Sequence, residues 1–284
     1  MGQRAEYVTA EVGPDLRGLV DSVHCYDLSG FAPGEHLGLP SPAVTFIIAL
    51  DDGVEMRRMP RADRAPGRFR ALVGGLHDGP VVIGHDGAQA GIQLGLSAGA
   101  TRALLGVPAA AVAGEVVELA DLWGPVAARA LVEQVGEAPD WPTRTAAIAT
   151  TFRRRLALNP LADDAHRSDA TLDASWAMLT GPALHPVADV AAQVGWSRRN
   201  LTDRVTREFG VSPVVARAMA RFDRARALVA STTGPLAAVA ACAGYADQSH
   251  MVREWRRFTG LSPTGWLTRE DFPSVQAGTV AADR

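Results

Sequence analysis

The last third of the chain contains one pattern twice, at a spacing of about 49 residues. Val187-Ala188-Asp189-Val190-Ala191-Ala192-Gln193-Val194-Gly195-Trp196 lines up with Leu236-Ala237-Ala238-Val239-Ala240-Ala241-Cys242-Ala243-Gly244-Tyr245. After each Gly-aromatic pair comes a second, polar and basic segment, which ends in Phe209-Gly210-Val211-Ser212-Pro213 or in Phe258-Thr259-Gly260-Leu261-Ser262-Pro263. A repeated supersecondary unit buries its apolar face against its neighbours, so the repeat constrains this region before any single motif does.

Each copy has the parts of a helix-turn-helix. Apolar residues recur at i, i+3 and i+7 (Val187, Val190 and Val194; Leu236, Val239 and Ala243), and small Ala191 and Ala240 allow a following helix to approach. Gly195 and Gly244 stand where the chain must reverse, a position that calls for the left-handed backbone glycine adopts most easily. The second helix is expected to bury Leu201 and Val205 in one copy, and Met251, Trp255 and Phe258 in the other. Its opposite face then presents Arg198, Arg199, Thr202 and Asp203, or Gln248, Ser249, His250 and Arg253, side chains able to bond phosphate oxygens and base edges. Val214 to Ser231 reads as one helix between the units, carrying Met219, Phe222, Ala225, Leu228 and Val229 at helical spacing with Arg217, Arg221, Arg224 and Arg226 around them. About 16 such residues span about 24 Å, the range that sets two recognition helices about one DNA turn apart.

Charge agrees with this reading. All 28 basic residues are Arg, and His185 to Arg269 holds 12 of them against six acids, a local charge of +6 in a chain of net charge -3. The sign asymmetry points to a polyanionic partner for the C-terminal part.

Here the sequence resembles the AraC/XylS family of transcription regulators. Gly244-Tyr245-Ala246-Asp247-Gln248-Ser249-His250-Met251-Val252-Arg253-Glu254-Trp255-Arg256-Arg257-Phe258-Thr259-Gly260-Leu261-Ser262-Pro263 is similar to the family pattern G-F-x-D-x-S-x-F-x-R-x-F-[KR]-[KR]-x-x-G-x-[ST]-P. Arg221-Phe222-Asp223-Arg224-Ala225-Arg226-Ala227-Leu228 is similar to the family's R-x-x-x-A-x-x-L connecting helix. The matched stretch runs from about Leu184 to Trp266. The resemblance implies a sequence-specific regulator, an activator in expectation, that binds the major groove of double-stranded DNA. It also implies RNA polymerase, a small-molecule effector and a second copy of the chain as partners. The candidate DNA contacts are Ser197, Arg198, Arg199, Asn200, Thr202, Asp203 and Arg204 in the first unit, and Gln248, Ser249, His250, Arg253, Arg256 and Arg257 in the second. One departure stands out: where the family often has a basic residue two positions after Leu201, this chain has Asp203, followed by Arg204. Asp203 either accepts from cytosine N4 or is turned away from the groove.

The length of 284 residues suggests two domains, and 28 Gly, 2 Cys and 21% charged residues exclude collagen-like, disulfide-scaffold and disordered classes. The fold class expected is an α+β N-terminal domain, a small strand-rich sheet or barrel plus helices, followed by an all-α domain of two helix-turn-helix units joined by a long helix. Residues 1–157 form the expected regulatory or dimerisation domain, 158–175 a polar linker that few contacts cross, 176–272 the DNA-binding domain and 273–284 a flexible tail. Strands are expected at Val44 to Ile48, at Val81 to Ile83 and around Ile92, Leu94 and Leu96, with a later helix through Ile148, Phe152 and Leu156 started by Asp140. Phe46, Ile48, Ile92 and Leu94 are read as lining either an apolar ligand cavity or a filled core. Residues from Gly91 to Gly106 and Val117 to Gly124 resemble the N-terminal domain of one branch of the same regulators.

No cofactor, metal site or catalytic residue is assigned. His24, His36, His77 and His85 lack the H-x-H spacing of a barrel metal site, and the six arginines between Arg57 and Arg70 read as a solvated hairpin. Cys25 and Cys242 are expected as reduced thiols, and the polar start Met1 to Tyr7 and the absence of a membrane-length apolar run predict a cytoplasmic protein. Two rival readings stay open: an enzyme in the N-terminal domain that the helix-turn-helix part targets to DNA, and a constitutive binder whose N-terminal domain is purely structural. Ionisable residues converging on a polar pocket would favour the enzyme; the absence of any ligand pocket would favour the constitutive binder.

Overall fold

The computed structural model describes residues 2–158, 170–231, 234–269 and 272. The N-terminal part is built on strands β1 (Arg4–Thr9), β2 (Val20–Ser29), β3 (Gly34–Gly38), β4 (Ala43–Ala49), β5 (Val54–Arg58), β6 (Gly67–Phe69), β7 (Ala71–Gly74), β8 (Val81–His85), β9 (Gln89–Ser97) and β10 (Val116–Glu118). They form a six-stranded sheet in the order β1-β2-β9-β4-β7-β10 and a four-stranded sheet in the order β3-β8-β5-β6. Every pairing within them is antiparallel.

Alternation along β4 decides what each face meets, because successive side chains leave a strand on opposite sides. Val44, Phe46 and Ile48 belong to the large core shared with the helices that follow: α1 (Thr101–Leu105), α2 (Leu119–Trp123), α3 (Pro125–Glu137) and α4 (Trp141–Leu158). Phe46 lies 5.6 Å from Phe152 and 5.9 Å from Trp123, ring centroid to centroid, and those two rings are 6.2 Å apart. Asp140 starts α4 by accepting from the Thr143 amide at 2.8 Å, as its side chain suits it to do. Ile47 and Ala49 face the other way, into a smaller core with Val54, Met56, Leu72, Val81 and Ile83 from between the two sheets.

This parity settles the expectation for Phe46, Ile48, Ile92 and Leu94. All four are buried in the core shared with the helices. On the opposite face Thr45, Ile47 and Gln93 line a small cavity of about 50 Å³. Of the four histidines, His36 and His77 line this cavity; His36 bonds Gln89 at 3.0 Å, and burial pushes its imidazole down to about 4. The Arg57 to Arg70 arginines are largely neutralised where they sit. Arg57 pairs with Glu35 and Glu55, Arg61 with Asp63 and Glu115, Arg64 with Glu115, and Arg68 with Glu55.

The C-terminal part comprises α5 (Ala170–Thr180), α6 (Val187–Gln193), α7 (Arg198–Phe209), α8 (Pro213–Ser231), α9 (Leu236–Cys242), α10 (Gln248–Thr259) and α11 (Pro263–Arg269). Residues 159–169 of the expected linker and 273–284 of the expected tail lie outside the described residues. From Ala170 the expected linker is already helix, because Leu172, Trp176 and Leu179 give α5 a buried stripe. Among the described residues no helix is long and apolar enough to cross a membrane.

The expectation that few contacts cross between the two parts is corrected. Arg102 grips Glu208 of α7 through two bonds of 2.5 and 2.6 Å, and Arg257 of α10 reaches Asp78 at 3.0 Å. Gly210, at φ 78°, ends α7 in the left-handed region and lies so close to the 109–111 turn that an added Cβ would stand 2.3 Å from the Ala113 Cβ. Phe272 stacks on His85 at 3.9 Å between ring centroids. The polar composition of residues 159–173 could not reveal these contacts, because they are made by residues far from it in sequence.

Candidate nucleic-acid interface

The two recognition helices are set up by the same local chemistry. Gly195 and Gly244 turn the chain at φ 71° and 85°. Ser197 then caps α7 by accepting from the Asn200 amide at 3.1 Å, and Asp247 caps α10 by accepting from the His250 amide at 2.6 Å. Gly210 and Gly260 close the helices in the left-handed conformation. Both helices are 12 residues long, yet the second unit spends one more residue before its helix, so the offset grows from 49 in the first helices to 50 in the recognition helices. With that register Leu201, Val205 and Phe209 of α7 correspond to Met251, Trp255 and Thr259 of α10, and all are buried.

Helix α8 is the axle. Met219, Phe222, Ala225 and Val229 are buried along it, and Phe222 meets Trp255 edge-on at 5.2 Å and Phe258 at 5.0 Å. On the first unit's side Trp176 of α5 lies 4.3 Å from Phe209. Its 19 residues make a rod of about 28 Å, so the separation of the units is held by a single stiff element.

The axle's arginines do not face solvent as the sequence suggested. Arg217 donates to the Leu184 carbonyl at 2.9 Å, Arg224 to the Pro182 carbonyl at 2.8 Å and Arg221 to Glu254 at 2.8 Å, while Arg226 is only 5% exposed. They brace the units, and the outward positive charge is left to the recognition helices.

On α7, Arg198, Arg199, Asp203 and Arg204 are exposed, with Asn200 and Thr202 half-buried. Asp203 occupies the position that Arg253 holds on α10, points outward, and stands 3.9 Å from Arg199 one turn earlier. It is exposed to solvent, as Arg253 is. Several candidates are already engaged within the helix: Ser197 as the cap, Thr202 donating to the Arg198 carbonyl at 2.9 Å, and Arg204 bonded to Asn200 at 3.1 Å while lying over the Trp196 ring. On α10, Gln248, Ser249, Arg253, Arg256 and Arg257 are exposed, and His250 is half-buried, edge-on to Tyr245. Ser249, Arg253 and Arg256 fall at i, i+4 and i+7 and so form one line along the helix. Thr206 and Arg207 are exposed at the positions of Arg256 and Arg257 and were missed from sequence; the one-residue change of offset is the signal that finds them.

The helix-turn-helix domain family matches residues 190–269. This part of the chain is an AraC-type helix-turn-helix domain. The AraC-type domain also appears in solved structures that share the fold at low identity. The unsaturated-fatty-acid-bound ToxT of Vibrio cholerae strain SCE256 is 10% identical, covering 91% of this chain and 96% of its own, with a TM-score of 0.50. ToxT of Vibrio cholerae O395 bound to (E)-4-(8-methylnaphthalen-1-yl)but-3-enoic acid is 11% identical, covering 87% and 97%, also at 0.50. An AraC-type regulator of Chromobacterium violaceum is 20% identical over 38% of this chain and 98% of its own, at 0.34. No curated protein matches this chain by sequence. The strand-rich part preceding the AraC-type domain thus belongs to the same overall architecture as ToxT.

Within the AraC-type domain, Arg257 is held by Asp78 of the strand-rich part, with both side chains at least half exposed. Asp78→Asn is expected to raise affinity for DNA slightly, by at most about 1 kcal/mol, because an exposed ion pair of this kind is weak. Titration of a labelled duplex with both proteins checks it; a loss of affinity would show that the contact aids DNA binding.

Proposed function

We infer that this chain is a transcription regulator that binds duplex DNA through α7 and α10, and that a small-molecule effector adjusts the binding through the N-terminal domain. The observation that carries the reading is the pairing of two capped recognition helices on one braced axle, with Arg198, Arg199, Arg253 and Arg256 exposed on them. A connecting helix of about 28 Å suits the placing of two recognition helices in successive major grooves on one side of the duplex. Arginine there serves both phosphate and guanine, bidentate at O6 and N7 in the second case. In this reading the protein acts as an activator that contacts RNA polymerase and pairs with a second copy on DNA.

The effector part of the reading is supported by the cross-domain contacts. A ligand changes DNA affinity only as far as it prefers one arrangement of the two parts over another. The Arg102–Glu208 pair ties the N-terminal domain directly to a recognition helix, so a shift at one is felt at the other. ToxT has been solved with carboxylic acids bound, which supports testing small effectors here.

Selection of bound fragments from genomic DNA by the purified full-length protein tests the function. A recurring sequence with two half-sites about one turn apart is expected; enrichment of no sequence over random DNA would overturn it. On the selected site, Arg253→Ala and Arg199→Ala are each expected to cost about 1–3 kcal/mol if the side chain pairs with guanine. Affinity unchanged in both would move the reading face elsewhere on the domain.

A further inference from the structure

Arg217, Arg221 and Arg226 of the axle each leave a buried Nε without an acceptor, and Arg226 leaves its Nη1 so as well. The Arg226 side chain is 6% exposed, and its Nη2 donates to Asp223 at 2.6 Å. A guanidinium cannot shed its proton to relieve this, so two charged donors remain without an acceptor.

Arg226 lines a cleft of about 330 Å³ between α8 and the six-stranded sheet. The opposite wall carries Asp21, Ser22 and His24 of β2 and Gln93 of β9. Asp21 sits at a break in the β2–β9 register, between Val20 and Ser22, where a bulge re-aims a side chain. Its carboxylate has no ion-pair partner among the described residues. Burial, and then the nearby Arg226 cation, push the His24 imidazole below its ordinary value, and it is bonded to the Tyr7 hydroxyl.

The charges define what fits. Asp223 and Arg226 offset each other, which leaves an idle donor pair on one wall and an unpaired carboxylate on the other. A simple anion would satisfy Arg226 but meet Asp21, and a simple cation would do the reverse. The volume lies at the small end of ligand pockets, and most of the lining residues are of polar type. We propose that the cleft binds a small zwitterion of the α-amino acid type, its carboxylate on the idle donors of Arg226 and its ammonium on Asp21. Because Arg226 belongs to the axle helix and Asp21 to the sheet, the bound molecule bridges the two domains. Its effect on DNA rests on the effector-responsive function inferred above; its binding does not.

Calorimetric titration of the full-length protein with the common α-amino acids, one at a time up to millimolar concentration, tests the site without DNA. At least one is expected to bind, and its amide and its N-acetyl derivative should each bind about tenfold more weakly or worse. Asp21→Asn, at the cleft mouth, should weaken binding similarly, and Arg226→Gln more so; Asp21→Asn keeps the test intact if the buried variant fails to fold. Binding of none of the amino acids, equal binding of the N-acetyl form, or an unaffected Asp21→Asn protein would overturn the proposal. A second titration measures affinity for the selected DNA with and without the bound amino acid. Calorimetric binding with unchanged DNA affinity would leave the site standing and remove the effector function.

Discussion

Trp255→Ala is expected to unfold the second helix-turn-helix unit and with it to abolish DNA binding, at a cost of about 3–5 kcal/mol. The indole is fully buried, edge-on to Phe222 at 5.2 Å and tilted against Trp266 at 5.6 Å. Truncation would therefore open a cavity where the axle, the recognition helix and α11 meet. The Trp255 indole N–H is itself buried without an acceptor, so Trp255→Phe gives up no hydrogen bond and should keep most of the stability. Denaturant unfolding of both variants, followed by DNA titration of those that stay folded, checks this. A Trp255→Ala protein that is as stable as the wild type and yet fails to bind would place the ring on the DNA.

Binding to the selected site should weaken steeply with salt. With about six phosphates neutralised, log K should fall with log salt at a slope of about -5, roughly a thousandfold between 50 and 200 mM. The residues available for this are the exposed arginines of α7 and α10, namely Arg198, Arg199, Arg204, Arg207, Arg253, Arg256 and Arg257. The four arginines of α8 contribute little to it, since they are turned inward to carbonyls and carboxylates. Affinity measured across a salt series gives the slope directly. A value near zero at a demonstrated site would mean that contacts other than phosphate neutralisation hold the DNA.

The sequence by itself determined the helix-turn-helix units almost completely. Their caps, reversing glycines, buried stripes and connecting helix are local features, set by 3.6-residue periodicity and by side chains bonding amides three residues on. Three of the ten strands among the described residues were legible for the same reason, and on β9 the alternation of Ile92, Leu94 and Leu96 was visible. Local patterns stop short of saying what faces them. Periodicity assigns Phe46 and Ile47 to opposite faces, but only the packed structure shows that α4 covers one and the second sheet the other. This is why the choice between cavity and filled core for Phe46, Ile48, Ile92 and Leu94 stayed open until their neighbours were known.

A count of charges has the same limit. Twelve arginines between His185 and Arg269 give the same count whether they face solvent or a neighbouring helix, and Arg226 lies among polar spacings that look solvated. Its burial, like the Arg102–Glu208 pair across 106 residues, depends on how the sheet and the axle pack together. Such contacts are fixed by the shapes and charges of two separately folded surfaces, which no window along the chain contains.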